Sequence, residues 1–240
     1  MERKKNIMTI LFLFIFFTGI NASENLTVYK SYITDNMERW ESVMIEMENR
    51  DSLSIQDKLN LINFEYGYIA WCIANDMENE AEKWLEYADQ NITSLGETRC
   101  CISMIKAYKA AFYGFKIGLN PLMAPVYGPK SMENVKLSLK EDEKNWFGLV
   151  QNANVVYYMP KIFGGSKSKA IDLYIEALNQ MEKHPKLILN NWNYLNLIIT
   201  IGNAYHQTGN EELANKYYQK ALQVEPEFKW AKQHLKNTNK

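Results

Sequence analysis

Apolar residues recur along this chain at steps of three and four and nowhere alternate with period two for long. The pattern therefore predicts helices and no sheet. In "MERWESVMIEME" (37–48), Met37, Trp40, Met44 and Met47 fall on one helical face. "IQDKLNLINFEYGYIAWCIA" (55–74) and "NEAEKWLEYADQNI" (79–92) give two more helices, parted by Asn75 and Asp76. A long helix is expected over 97–119 and another over 131–142, with Ser131 as its N-cap. Further helices follow over about 145–159, 166–183, 187–208, 210–223 and 227–236. The six tryptophans, Trp40, Trp71, Trp84, Trp146, Trp192 and Trp230, come about one to a helix. That spacing suits wedges in a core better than a stacking platform for bases.

A repeat stands out near the end, in "LNLIITIGNAYHQTGNEELANKYYQKALQVEPEF". Ile198, Ile201, Gly202 and Tyr205 are followed by Gly209, Ala214, Tyr218, Ala221 and Pro226. This spacing resembles the tetratricopeptide repeat, a helix-turn-helix unit of about 34 residues, with Ile198 where Trp is often found. Small residues at 202, 214 and 221 let the two helices approach, and Tyr205 and Tyr218 fill the wedge beside them. Gly209 ends the first helix, and Pro226 stops the second. Ala170, Tyr174 and Ala177 repeat the spacing, as do Ala81, Leu85 and Ala88. The better copies cover 146–183 and 195–228, and a degenerate one covers 61–93. The helix at 131–142 reads as having lost its small residues. The resemblance implies an all-α, right-handed α-solenoid of stacked helix-turn-helix pairs forming one domain over 23–240. Exported Gram-negative proteins of this type share a fold and no common reaction.

The repeat also accounts for "FGGSKS" (163–168). Gly165 precedes Ala170 by the interval that separates Gly209 from Ala214, so the segment reads as an inter-helix turn with Ser166 as cap. A phosphate-binding loop needs a Gly-Lys-Ser/Thr end and a preceding strand, and neither is present.

In such a solenoid the first helix of each pair lines a concave wall. The resemblance places Asn63, Asn152 and Asn196 there at equivalent positions, extended by Asn203 and His206 and accompanied by Tyr66 and Tyr158. Asparagines donate and accept, so a ladder of them can hold an extended peptide. The family's carboxylate clamp is not matched, because Val155, Met159 and Ile199 stand where cations are needed. A second candidate is "NPLMAPVYGPKS" (120–131), expected as a loop because three prolines and Gly128 oppose helix. Its apolar Leu122, Met123, Val126 and Tyr127 then suit either a lid folded over the wall near Tyr157, Tyr158 and Phe163 or plain packing at a junction. Lys106, Lys109 and Lys116 read as the solvated face of a helix.

The N-terminus carries Arg3, Lys4 and Lys5, then an apolar run over 7–20, then Asn21-Ala22-Ser23. This is the form of a secretory signal peptide over 1–22 with cleavage after Ala22. The run is shorter than the about 20 residues that span a bilayer, so membrane contact is expected only through an uncleaved signal segment. A periplasmic or secreted location follows. Net charge is −1, which gives no electrostatic case for nucleic acid. Cys72, Cys100 and Cys101 match no metal spacing and read as unpaired, buried thiols. His184, His206 and His234 have no local catalytic partner, and no catalytic or nucleotide motif occurs. The sequence thus predicts no enzyme, cofactor or metal, but a binding scaffold holding a peptide or protein partner on the concave wall. The alternative is a small-molecule binder for an apolar ligand associated with transport, its pocket closed by 120–131.

Overall fold

The computed structural model describes residues 23–96 and 101–238. The signal segment, its cleavage site, Cys100 and the first residues expected in the long helix at 97 lie outside them. Every regular element among the described residues is helical, so the chain is all-α. The helices are α1 (23–34), α2 (Met37–Glu48), α3 (Ile55–Ala74), α4 (Glu78–Leu95), α5 (Ile102–Leu119) and α6 (Ala124–Glu141). They continue with α7 (Trp146–Tyr158), α8 (Lys167–Glu182), α9 (Trp192–Gln207), α10 (Glu211–Val224) and α11 (Lys229–Thr238). Short 3₁₀ turns lie at Pro121–Met123, Lys161–Phe163 and Pro185–Leu187.

Asparagine supplies most of the side-chain caps. Asn36, Asn145, Asn191 and Asn210 accept backbone N–H bonds in the first turns of α2, α7, α9 and α10. Ser54 and Ser166 do the same for α3 and α8. Each satisfies a donor that the helix cannot pair internally. "FGGSKS" is a turn: Gly164 sits at φ 101°, and the Ser166 N–H closes on the Val156 carbonyl at 2.9 Å. At Gly165 any Cβ would lie 1.7 Å from the Met159 carbonyl oxygen, so the second glycine answers to sterics and not to a phosphate.

The segment 120–131 corrects the expected loop. It forms the 3₁₀ turn Pro121–Met123 and the opening turns of α6, and Tyr127 stacks on Tyr113 at 5.6 Å. Pro125 occupies the first turn, where its missing N–H is no loss. Pro129 does remove a helix bond, but Pro125 and Pro129 are both exposed, so water can serve the carbonyl left over. Ser131 therefore caps nothing. It is buried mid-helix, and its Oγ donates to the Ala110 carbonyl at 2.9 Å.

Helix contacts are densest between neighbours in sequence, α3 with α4, α5 with α6, α7 with α8 and α9 with α10. The second helix of each hairpin buries a small–large–small triplet. These are Ala81/Leu85/Ala88, Ser131/Val135/Ser138, Ala170/Tyr174/Ala177 and Ala214/Tyr218/Ala221, all buried. The α6 helix keeps the spacing with serine in place of alanine, which corrects the view that its small residues are lost. Each serine hydroxyl has a partner, Ser131 on Ala110 and Ser138 near Ser103 Oγ at 3.3 Å. The tyrosines of the last two triplets also bond alike: Tyr174 donates to Asn154 at 2.6 Å and Tyr218 to Asn203 at 2.8 Å. Gly202 faces Tyr218 so closely that a Cβ would lie 2.5 Å from its ring.

The first helices converge on one aromatic core. Tyr66 of α3 meets Phe115 of α5, Phe147 of α7 and Trp192 of α9, with ring centroids 5.0–6.2 Å apart. The N-terminal helices close over the same place, since Trp192 lies 5.0 Å from Trp40 of α2 and 5.8 Å from Tyr32 of α1. Tyr32 also meets Phe228 and Trp230, tying α1 to the start of α11. Gly67 makes this contact possible: a Cβ there would lie 2.6 Å from Trp40 and 2.7 Å from Trp192. Gly67→Ala should therefore destabilise the protein by about 1–3 kcal/mol, the usual range for overpacking, and Gly202→Ala by a comparable amount. Gly114, on α5 with nothing within 4 Å of an added Cβ, is the control. Gly114→Ala should raise stability by up to about 1 kcal/mol. Denaturant melts of the three variants test this ranking.

Candidate functional site

The residues expected to grip a peptide are mostly engaged inside the protein. Asn63 Oδ1 accepts from Trp192 Nε1 at 2.9 Å and from Asn193 Nδ2 at 3.0 Å. Its Nδ2 donates to Tyr108 Oη at 2.9 Å and to Asn193 Oδ1 at 3.3 Å. Both acceptor and both donor positions are filled, so the amide has nothing left for a ligand. Tyr66 is buried among rings, with Gln151 and Asn154 facing its hydroxyl. Asn196 accepts from Tyr32 at 3.0 Å, Asn203 holds Tyr218, and exposed His206 faces Glu211. Asn152 is half-buried on α7. The structure thus gathers half-buried Asn63 and Asn196 and buried Tyr66 around Trp192 and Tyr32, while Tyr158 stands exposed at the end of α7, within electrostatic reach of Tyr66 and Tyr174.

Tyr158 belongs to a different surface. It ends α7 at 78% exposure, and the turn that follows carries Ile162 at 85% and Phe163 at 72%. Three large apolar side chains standing in water within six residues are unusual, because exposure costs about 25 cal/mol per Å². The turn geometry explains the display. Gly164 and Gly165 fold the backbone tightly against Met159, and the 3₁₀ turn throws its side chains outward. Exposed Lys161 lies within this ledge, while Lys167 sits 5.3 Å over the Tyr157 ring and donates to Gln207. The corner between α5 and α6 adds Leu122 at 87% and Val126 at 46%. Both corners follow first helices that pack on each other, α5 and α7.

The proposed lid residues divide accordingly. Leu122 and Val126 are exposed, Met123 is half-buried, and Tyr127 lies between the Lys116 and Lys130 ammonium groups, at 5.7 and 5.6 Å from its ring. Tyr127 is thus held in a cation–aromatic stack on its own hairpin and not over the wall. Lys116 also pairs with Asp89 of α4. Ile162 and Lys161 were not singled out in the sequence. The available signal was an apolar pair placed directly before two turn-forming glycines.

Among the described residues, burial is the first cause of the shifts at Cys72 and Glu65. Burial pushes the Cys72 thiol up to about 12, with Glu80 and Glu41 adding to the effect. It is an inert thiol packed at 0% exposure. Glu65 is fully buried, and its carboxyl is pushed well above the ordinary range, first by desolvation. Asn91 bridges it to Glu48, donating at 2.7 and 2.5 Å. Among the described residues, no three His, Cys, Asp or Glu side chains stand close enough to hold a metal ion. None of the described helices is long and apolar enough to cross a membrane.

No protein-family model matches the sequence, and neither does any curated protein. Among solved structures, the chain is similar to the HusA haemophore from Porphyromonas gingivalis. The TM-score is 0.59 at 14% identity, over 75% of this chain and 92% of the other. Identity this low speaks for a shared fold alone.

Two substitutions separate structural from functional roles in the core. Asn63→Leu leaves Trp192 and Asn193 without their partner and should cost about 2–4 kcal/mol, since each unpaired buried polar group costs about 1–3 kcal/mol. A stable Asn63→Leu variant would return the ladder to the list of ligand grips. Glu65→Gln keeps the bond from Asn91 without a carboxyl that must stay protonated. A raised folded pKa means that the native state holds its proton longer than the unfolded chain does. Stability from this group is therefore fully present below the unfolded carboxyl's value of about 4.3 and is lost as pH rises from there toward the raised folded one. The variant should gain stability over the parent at pH 7–8 and gain nothing at pH 4, in melts run at both values.

Proposed function

We propose that this protein is a non-catalytic carrier, exported to the periplasm or beyond, that takes a flat apolar ligand of the tetrapyrrole class on the ledge of Tyr158, Ile162 and Phe163. The observation that carries this reading is the exposure of those three side chains beside Lys161 and Lys167. A tetrapyrrole offers an apolar face for the ledge and carboxylates for the lysines. The fold likeness to a protein named as a haemophore supports the same ligand class. The filled inner wall favours a ligand at the rim over an extended peptide along the wall. For the architecture we keep the solenoid reading, four tetratricopeptide-like pairs from α3 to α10 with α11 as cap. The fourfold small–large–small triplet supports it.

The size of the ledge sets the expected affinity. Covering three such side chains is worth about 1.5–3 kcal/mol each, and association itself costs several kcal/mol. The balance, at most about 5 kcal/mol, corresponds to a dissociation constant of roughly 0.1–1 mM. Adding haemin or metal-free protoporphyrin to the purified protein should shift the Soret band saturably, with a dissociation constant below about 1 mM. Replacing Ile162 and Phe163 by Ser should weaken it at least tenfold with no change in melting temperature, because both side chains are already in water. Leu189→Ser, equally exposed at 74% in the α8–α9 link, should change neither. Absence of saturable binding, or equal loss in the Leu189 variant, refutes the carrier reading and returns weight to a protein partner as the occupant of the ledge.

A further inference from the structure

A second surface lies away from the ledge and shares no residue with it. The corner between α1 and α2, the last turns of α3 and the first residue of α11 enclose an open cleft of about 700 Å³. That volume falls within the range of ligand sites, about 300–1,000 Å³. Its floor is aromatic: half-buried Trp71 is the accessible ring, backed by buried Tyr68 at 5.6 Å with a tilt of 37°, and Met77 is exposed beside them. The Trp71 indole N–H makes no hydrogen bond among the described residues.

Its rim is acidic. Asp35 and Glu38 are exposed and form no ion pair among the described residues. Glu41 is partly committed, accepting from Trp84 Nε1 at 3.1 Å with Lys83 at 3.8 Å. Against these three carboxylates the lining offers one cation, Lys229. The whole chain carries a net charge of only −1, so the acidity belongs to this cleft and is no reflection of an acidic protein.

We infer that this cleft docks an arginine-bearing segment of a protein partner. Three features select that chemistry together. An aromatic floor attracts a cation laid over its face, and guanidinium stacks there while keeping its edge free for carboxylates. Met77 and Trp71 offer apolar contact for the methylene stem. Unpaired carboxylates at an open mouth steer and orient a positive partner. The volume and the open mouth exceed the needs of one side chain, so a stretch of polypeptide is the fitting source.

The test uses peptides and the full mature chain. Acetyl-Gly-Arg-Gly-Arg-Gly-amide should bind saturably by calorimetry and perturb tryptophan fluorescence. Its affinity should fall several-fold between 50 and 300 mM salt, as screening shortens the reach of the rim charges. The same peptide with citrulline for arginine keeps the shape without the charge and should not bind. Asp35→Asn with Glu38→Gln should lose at least tenfold in affinity at unchanged melting temperature, because both side chains are exposed. Lys229→Ala should tighten binding. Trp71→Phe, which keeps a ring, should bind more weakly than the parent and better than Trp71→Ala. Equal affinity for the arginine and citrulline peptides, or indifference to the Asp35/Glu38 change, would overturn the site. Arginine amide binding as tightly as the peptide would overturn the assignment to a protein partner. Haemin binding at the ledge should persist in all these variants, so failure here is distinguishable from failure of the carrier reading.

Discussion

One amide, that of Asn63, is central to the contacts that join the two halves of this chain. Asn63 on α3 takes hydrogen bonds from Trp192 and Asn193 on α9, reaching across as many as 130 residues of sequence. The bonds are partly buried beside the aromatic core, where a satisfied polar network fixes one arrangement and a half-satisfied one is costly. Packing reinforces the bonds. Trp192 lies between Trp40, Tyr32 and Tyr66, and Gly67 removes the one side chain that would hold the rings apart. Hairpins that pack only on their neighbours need no such contact. Here the first and last parts of the fold are held together by the most specific interactions in the molecule.

That closure determines where binding can occur. Where α3, α5, α7 and α9 meet, rings fill the inner wall, and Asn63 has no hydrogen-bonding capacity left for a peptide. Surfaces available to partners are therefore displaced to helix ends and corners. The ledge after α7 and the cleft beside the α1–α2 corner are both of this kind, shaped by turns and not by helix faces. Turn geometry can present apolar side chains without weakening the core beneath. Tyr158 ends a helix whose buried residues Phe147, Leu149, Val150 and Ala153 lie nearer its start.

Much of this was legible in the sequence, and the failures share a cause. Helical periodicity located α2 and α3 to the residue, because their buried faces are unbroken. Gly209, Ser166 and the Ala170/Ala177 and Ala214/Ala221 pairs have the roles that their types suggest. The α6 helix was misread because proline and glycine were counted as breakers without regard to position, and Pro125 falls where a helix tolerates it. Its serines were overlooked as small residues because a buried hydroxyl needs a partner, and Ala110 and Ser103 supply those from another helix. The hydrogen bonds that occupy the asparagines escaped the sequence for a related reason. Sequence can place Asn63 on an inner face, but not show that the opposite face arrives to meet it. Local features were readable; contacts between distant segments were not.

The same closure bears on whether the two proposed surfaces communicate. The ledge rests on α7 and its turn, while the cleft is built from α1, α2, α3 and α11, and no side chain belongs to both. Coupling between them would require an intervening element with two arrangements of similar energy. The intervening element is the aromatic core around Trp192. Gly67 leaves no slack there, since even a methyl group would overlap two tryptophan rings. A core so tightly fitted resists a second packing. Ligand on the ledge and partner in the cleft should therefore bind with nearly additive free energies. On the two proposals made above, the molecule would be a rigid adaptor, presenting ligand and partner sites on separate surfaces without signalling between them.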